Sequence, residues 1–121
     1  MAETFDFGAG PVPAHRHSNG GGWIADTAKV EATAYVGANA RVFGFAVVSD
    51  NAVVCDNAVV SDDSWVLGNA QVSGDAQVYG FAVVSGDAEV RGDAWVFGHA
   101  VVSGEAWVSG NARVYEGEIS E

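Results

Sequence analysis

Apolar and polar positions alternate in short blocks that recur every six residues from residue 22 to residue 117. Each block reads A-x-V-x, with Ala and Val as the recurrent apolar residues and a variable residue after each. Because successive side chains of a strand point to opposite faces, Ala and Val share one face and the variable residues the other. The fifth position of a block is mostly Gly and the sixth is mostly Asn, Asp or Thr, and these residues favour turns. The pattern predicts very short strands joined by corners.

The variable positions indicate how many blocks make one coil. Tyr79, Phe97 and Tyr115 recur at intervals of eighteen residues, and Phe43 lies two such intervals before Tyr79. A coil of twelve residues would scatter these side chains over different faces, whereas a coil of eighteen aligns them. The repeat therefore predicts a triangular solenoid with three strands per coil and about five coils. A helix is not expected, because Gly recurs in most blocks and no apolar stripe has a 3.6-residue period.

The run of blocks, seen in VYGFAVVSGD at positions 78–87 and VFGHAVVSGE at positions 96–105, resembles the hexapeptide-repeat proteins. The resemblance implies an all-β fold, a single-stranded left-handed parallel β-helix. Its handedness rests on the resemblance alone, since parallel crossovers are otherwise nearly always right-handed. The commonest form of the family has Gly directly after the inward aliphatic residue, as at Val36 and Gly37, whereas most blocks here have Gly one position later. The corners are therefore expected to differ in detail.

Three segments are predicted: an irregular N-terminal leader or cap at 1–21, the β-helix at 22–117 and a C-terminal tail at 118–121. The leader has two prolines that favour an extended path and two phenylalanines that are expected to cover an open end of the helix. These residues are Pro11, Pro13, Phe5 and Phe7.

The chain is strongly acidic, with 16 acidic against 5 basic residues and a net charge of −11. Direct binding to nucleic acid is not expected, because phosphate contacts need clustered Lys and Arg. The acidity favours a solvated, self-repelling surface. An alternative is an acidic inhibitor, encoded by a phage or bacterium, that mimics DNA on a host protein.

Compartment and covalent chemistry are constrained only weakly. Cys55 is the single cysteine, so an intrachain disulfide is excluded. No apolar run is long enough to span a bilayer, and the N-terminus lacks the features of a signal peptide. We therefore expect a cytoplasmic protein, or part of a particle assembled in the cytoplasm, with no membrane contact.

The corner residues divide the predicted prism into unlike edges. Two edges are polar ladders, one from Asn39 to Asn111 and one from Thr33 to Glu105. The third edge and the faces beside it form an outward apolar patch, and such patches commonly mark interaction surfaces. This patch, the aromatic edge, comprises Phe43, Phe45, Val47, Trp65, Tyr79, Phe81, Val83, Trp95, Phe97, His99, Val101 and Tyr115.

The resemblance implies an assembly, because hexapeptide-repeat prisms usually associate as trimers. The aromatic edge is then the predicted subunit interface of a homotrimer, or a docking surface for a protein partner. The alternative is that the aromatic ladders only stabilise stacked strands. Phe45 and Phe81 favour an interface, since they stand at corners where Asn or Asp would suit the turn.

Three histidines are the candidates for chemistry. The resemblance to hexapeptide acyltransferases implies that a His can serve as general base at a subunit cleft, and His99 is the only His in the repeats. No loop interrupts the blocks, and no cluster of basic residues is present to bind the phosphates of CoA. Because an acyltransferase would need such features, packing is the favoured role of His99. His15 and His17 flank Arg16, and in an extended segment both imidazoles point the same way. A threefold axis would gather six of them, enough for an octahedral metal, although a polar linker is the simpler interpretation.

Together these patterns predict a non-enzymatic structural or binding module that needs no cofactor. A minimal acyltransferase and an acidic inhibitor remain the alternatives.

Overall fold

The computed structural model describes residues 3–8 and 10–119, which contain strands and turns and no helix. Most strands are two residues long, and those between residues 23 and 114 each correspond to one sequence block. In chain order the strands are β1 (Thr4–Asp6), β2 (Pro11–Arg16), β3 (Trp23–Ala25), β4 (Lys29–Val30), β5 (Tyr35–Val36), β6 (Arg41–Val42), β7 (Val47–Val48), β8 (Val53–Val54), β9 (Val59–Val60), β10 (Trp65–Val66), β11 (Gln71–Val72), β12 (Gln77–Val78), β13 (Val83–Val84), β14 (Glu89–Val90), β15 (Trp95–Val96), β16 (Val101–Val102), β17 (Trp107–Val108), β18 (Arg113–Val114) and β19 (Glu118–Ile119).

These strands form three sheets that make up the sides of a parallel β-solenoid. The first sheet has the order β1-β2-β3-β6-β9-β12-β15-β18, the second β19-β16-β13-β10-β7-β4 and the third β17-β14-β11-β8-β5. Trp65 pairs in parallel with Val47 on one side and Val83 on the other, a separation of eighteen residues in each direction. The predicted parallel solenoid with three strands per coil is confirmed. Its left-handed sense stays a prediction.

The core is a stack of the repeated Ala and Val side chains. The inward Val residues from Val36 to Val102 are fully buried, and so are the Ala residues between them. At roughly 1.5–3 kcal/mol for each buried Val, such small side chains still stabilise a core because so many are stacked. Ser64 is the one polar replacement in the inward Ala row, and its Oγ donates a hydrogen bond of 2.7 Å to the carbonyl oxygen of Ser61.

The corners depend on positive φ angles. Gly occupies this conformation at most corners, while Asp50, Asp56 and Asp62 adopt it with φ angles of 59°, 58° and 61°. Each of these carboxylates accepts a hydrogen bond from the N–H of the Gly one coil later, at 3.0–3.1 Å. One coil therefore has an Asp at all three corners, and each carboxylate binds the coil that follows.

The leader is more regular than predicted. β1 and β2 form an antiparallel hairpin, and β2 continues the first sheet by pairing antiparallel with β3. The following turn reaches the third sheet, where the N–H of Val36 donates to the carbonyl oxygen of Asn19 at 3.0 Å. The hairpin could not be predicted from the sequence, because it forms by pairing of β2 with the free edge of β3. This is a tertiary contact, and the two prolines made an irregular segment the expectation.

The two leader phenylalanines lie elsewhere than expected. They do not close the end of the core but stack on outward aromatic rings of the first sheet. Phe5 stacks on Trp23 with ring centroids 4.9 Å apart, and Phe7 stacks on Phe43 at 4.8 Å. The buried Ala14 belongs to the hairpin strand that covers this end of the first sheet.

The predicted tail also contributes a strand. β19 pairs in parallel with β16, with Glu118 opposite Val101 and Ile119 opposite Val102. This separation is seventeen residues instead of eighteen, because the last corner, which contains Gly117, is one residue shorter. The shift brings Ile119 against the hydrophobic core. The solenoid therefore extends to residue 119, and residues 120–121 of the predicted tail lie outside the described part of the chain.

Candidate functional site

The aromatic edge lies where the first sheet turns into the second. Two of its corner side chains project into solvent, with Phe45 67% exposed and Phe81 57% exposed. Asp63 occupies the same corner in the coil between them. Both phenylalanines follow a Gly with positive φ, so the turn itself is made by Gly44 and Gly80 and does not require a ring.

Stacked rings connect successive coils along this edge. The rings of Phe81 and His99 are nearly parallel, with an interplanar angle of 6° and centroids 5.1 Å apart. On the adjoining face, Phe97 stacks on Tyr79 at 5.0 Å and on Tyr115 at 6.0 Å. The coil repeat aligns these rings as the sequence predicted, because side chains eighteen residues apart are neighbours across strands.

The remaining predicted residues lie on the two faces that flank the corner. Trp65 is half exposed on the second sheet, between its strand partners Val47 and Val83. Val101 follows in the next strand. Trp95 lies on the first sheet, where its ring meets Tyr79 edge-on with centroids 6.1 Å apart.

A groove separates Phe45 from Phe81. Its volume is about 400 Å³, and it is open to solvent at the corner of the prism. The Asp62 carboxylate accepts a hydrogen bond from the N–H of Gly80 at 3.0 Å, whereas the Asp63 side chain makes no hydrogen bond or ion pair within the described part of the chain. The groove, which we call the Phe45–Phe81 slot, is lined by Gly44, Phe45, Asp62, Asp63, Gly80 and Phe81.

A second, more apolar pocket of about 480 Å³ lies between the hairpin and the corner that follows β3. Phe7, Val12 and Phe43 contribute to its walls, and Gly44 is shared with the Phe45–Phe81 slot. The two cavities are thus neighbours along one edge. Sequence reasoning missed this pocket because it exists only when the leader folds into a hairpin.

His99 lies on the aromatic edge as predicted. Its side chain is exposed, and its ring is packed against Phe81. In residues 3–8 and 10–119 no carboxylate hydrogen-bonds to it, although such a partner commonly orients a catalytic imidazole. Packing therefore stays the favoured role of His99, and a catalytic role stays an untested alternative.

The two leader histidines are not presented side by side. His15 is exposed, and its Nδ1 lies 2.7 Å from Oδ1 of Asp26. His17 is buried, and its Nε2–H donates to the carbonyl oxygen of Ala34 at 2.7 Å. The expected alignment fails because β2 ends at Arg16 and His17 begins a turn. No group of three potential ligand side chains suited to a metal occurs within the described ranges.

Cys55 lies at the polar edge between the third and first sheets. Partial burial raises the pKa of the Cys55 thiol, and the carboxylate of Asp56 raises it further. The reactive form of cysteine is the thiolate, so a raised pKa makes this thiol a poor nucleophile at neutral pH.

Comparison with known proteins assigns no family. Neither a family model, nor a curated protein, nor a solved structure matches this chain. The fold and the edge geometry are therefore the basis for a function. In the described part of the chain no helix is long and apolar enough to cross a membrane.

Proposed function

We propose that this protein is a non-enzymatic β-solenoid module that binds through its aromatic edge, either to copies of itself in a trimer or to a protein partner. The observation that carries the proposal is the exposure of Phe45 and Phe81. Their corners would form equally well with Asn or Asp, as the polar edges do. Large exposed apolar patches on otherwise hydrated proteins commonly mark interaction sites.

The shape of the solenoid supports this proposal. Stacked coils place the side chains of one corner in a straight row, spaced by about 4.8 Å per coil. A straight row of this kind can contact an equivalent row on a second copy along its whole length. The polar edges are less suited to such contacts, since their side chains bond to each other: Asn57 donates to Asp75 at 3.3 Å and Asn69 donates to Asp87 at 3.2 Å.

Light scattering coupled to size exclusion tests the proposal. The variant Phe45→Asp with Phe81→Asp places charge on the proposed contact and is expected to lower the mass to that of one chain. The matched control, Asn39→Asp with Asn111→Asp, adds the same charge to a polar edge and should keep the wild-type mass.

Two results would contradict self-association through this edge. One is a wild-type mass equal to a single chain, which leaves only partner docking. The other is an oligomer whose mass is the same in the aromatic-edge variant, which places the contact elsewhere.

A further inference from the structure

The arginines of this chain already cover several of its outward aromatic rings. Each of the four guanidinium groups lies over a ring, at distances from Cζ to the ring centroid of 4.2–5.1 Å. Cation–π contacts of this kind form within about 6 Å of the ring centroid. The pairs are Arg16 with Trp23, Arg41 with Phe5, Arg91 with Trp107 and Arg113 with Trp95.

The Phe45–Phe81 slot has the opposite composition. It combines two exposed rings with the carboxylates of Asp62 and Asp63, and no Lys or Arg lines it. The Asp63 carboxylate has no cationic partner within the described residues. A region with ring faces, negative charge and no cation of its own is complementary to an organic cation.

We propose that the Phe45–Phe81 slot binds a trimethylammonium group. The two phenylalanines lie two coils apart, which is about 9.6 Å at a strand spacing of ~4.8 Å. A cation at the level of the coil between them would lie about 4.8 Å along the prism from the coil of each phenylalanine, within the reach of cation–π attraction. Asp63 belongs to the intervening coil and supplies the countercharge at the same level.

The distance between the coils of Phe45 and Phe81 determines which shape of cation fits between the two rings. A flat guanidinium in contact with both rings would need them only about 7 Å apart, given contact distances of ~3.5 Å on each face. A trimethylammonium group is roughly spherical and fills a wider gap. A neutral group of the same shape would bury equal apolar surface but would leave Asp63 without a countercharge.

Neighbouring rings do not offer the same site. Phe81 and His99 are stacked at 5.1 Å, so no group fits between them. Trp107 is 61% exposed, but Arg91 lies over its ring at 4.5 Å. This inference rests on the aromatic edge being a binding surface, as in the proposed function, but it does not require self-association.

Binding is measured by titrating wild-type protein with tetramethylammonium chloride and recording amide NMR spectra. The expected result is a saturable shift of the amide signals of Gly44, Asp63 and Gly80, with an upfield shift of the ligand methyl protons by the ring currents. Choline and its neutral carbon isostere 3,3-dimethylbutan-1-ol then separate charge from shape, and choline should bind more tightly. Comparison of choline with Nα-acetyl-trimethyllysine amide shows which source of the group fits better.

Variants locate the site. Phe45→Ala is expected to weaken tetramethylammonium binding by about fivefold, the size of one exposed cation–π contact. Asp63→Asn should weaken it as well by removing the countercharge, whereas Trp107→Ala should leave it unchanged. Amide signals of the core Val residues confirm that each variant is folded.

The proposal is overturned if choline and the neutral alcohol bind equally, or if Phe45→Ala keeps the wild-type affinity. It is also overturned if the shifts cluster at Phe7 and Val12 instead of the slot. Light scattering during the titration separates this result from the proposed function. Binding with an unchanged oligomeric mass places the slot outside any interface between copies, whereas binding that lowers the mass places the slot within it.

Discussion

At the aromatic edge the ring of Phe81 lies flat on His99, whereas at the polar edge between the second and third sheets Asn69 donates a hydrogen bond to Asp87. Both pairs join residues eighteen positions apart, and both follow a Gly with positive φ. The same backbone turn therefore accepts either kind of side chain. The rings are therefore not needed to form the corner, and their exposure has a reason outside the turn.

Substitutions in the backbone turn that the edges share should change the free energy of unfolding most. Gly98 on the aromatic edge and Gly110 on a polar edge both have φ of +64°, but a Cβ on Gly98 would lie 2.3 Å from the carbonyl oxygen of Tyr115, and a Cβ on Gly110 meets nothing within 4 Å. We expect Gly110→Ala to lower the free energy of unfolding by about 1–2 kcal/mol through its left-handed φ. Gly98→Ala should lower it by roughly 1–3 kcal/mol more through overlap.

Urea unfolding followed by circular dichroism measures both changes. Equal destabilisation by the two substitutions would show that the close approach at Gly98 relaxes freely, and that the corners are more alike than their contacts indicate.

A smaller effect is expected from the side-chain pairs themselves. A double-mutant cycle on Phe81 and His99, with each residue replaced by Ala, should give a coupling of about 0.5–1.5 kcal/mol, as aromatic pairs do. The matched cycle on Asn69 and Asp87 should give about 0.5–1 kcal/mol, because an exposed hydrogen bond competes with water. A zero coupling at Phe81 and His99 would mean that the stack contributes nothing to stability and only displays the rings.

The last and smallest change is in the alkylation rate of Cys55 when a corner aspartate is replaced. Since the Cys55 pKa is raised, alkylation by iodoacetamide should be slower at pH 8 than for a free cysteine, and its rate should still be rising above the ordinary pKa of 9.0. Asp56→Asn removes the nearby negative charge, so the pKa should fall and the rate at pH 8 should increase by a few-fold. Asp62→Asn makes the same change at the aromatic edge and should leave the rate unaltered; an equal increase would point to a general loosening of the corners.

The solenoid itself could be predicted because it depends on local, repeated information. Ala and Val on one face, Gly at the corners and aromatic residues at intervals of eighteen suffice to define strand length and coil length. The ends could not be predicted in this way. β1 and β2 depend on the edge of β3, and β19 depends on a corner that is one residue short, so neither follows the repeat.

The candidate site was predicted in part. The positions of Phe45, Phe81 and His99 on one edge follow from the repeat, and the structure stacks Phe81 on His99 and places Phe45 and Phe81 on one groove. Their role in an interface stays a prediction. The Phe45–Phe81 slot was not foreseen, because it arises from the single coil in which Asp63 replaces a ring. His15 and His17 were expected to lie together, but the end of β2 separates them.

The antiparallel hairpin at the N-terminal end has a consequence for fibre formation. Parallel strands stacked with identical side chains in register are also the arrangement of cross-β fibrils, which grow by adding like strands to a free edge. In the first sheet the strand that follows β3 toward this end runs in the opposite direction. The free edge of the sheet at this end is β1, a strand of three residues that pairs antiparallel with β2 and belongs to no coil. The hairpin therefore occupies the edge of β3 to which another coil would add, and the sheet that carries most of the aromatic rings leaves the coil repeat at this end.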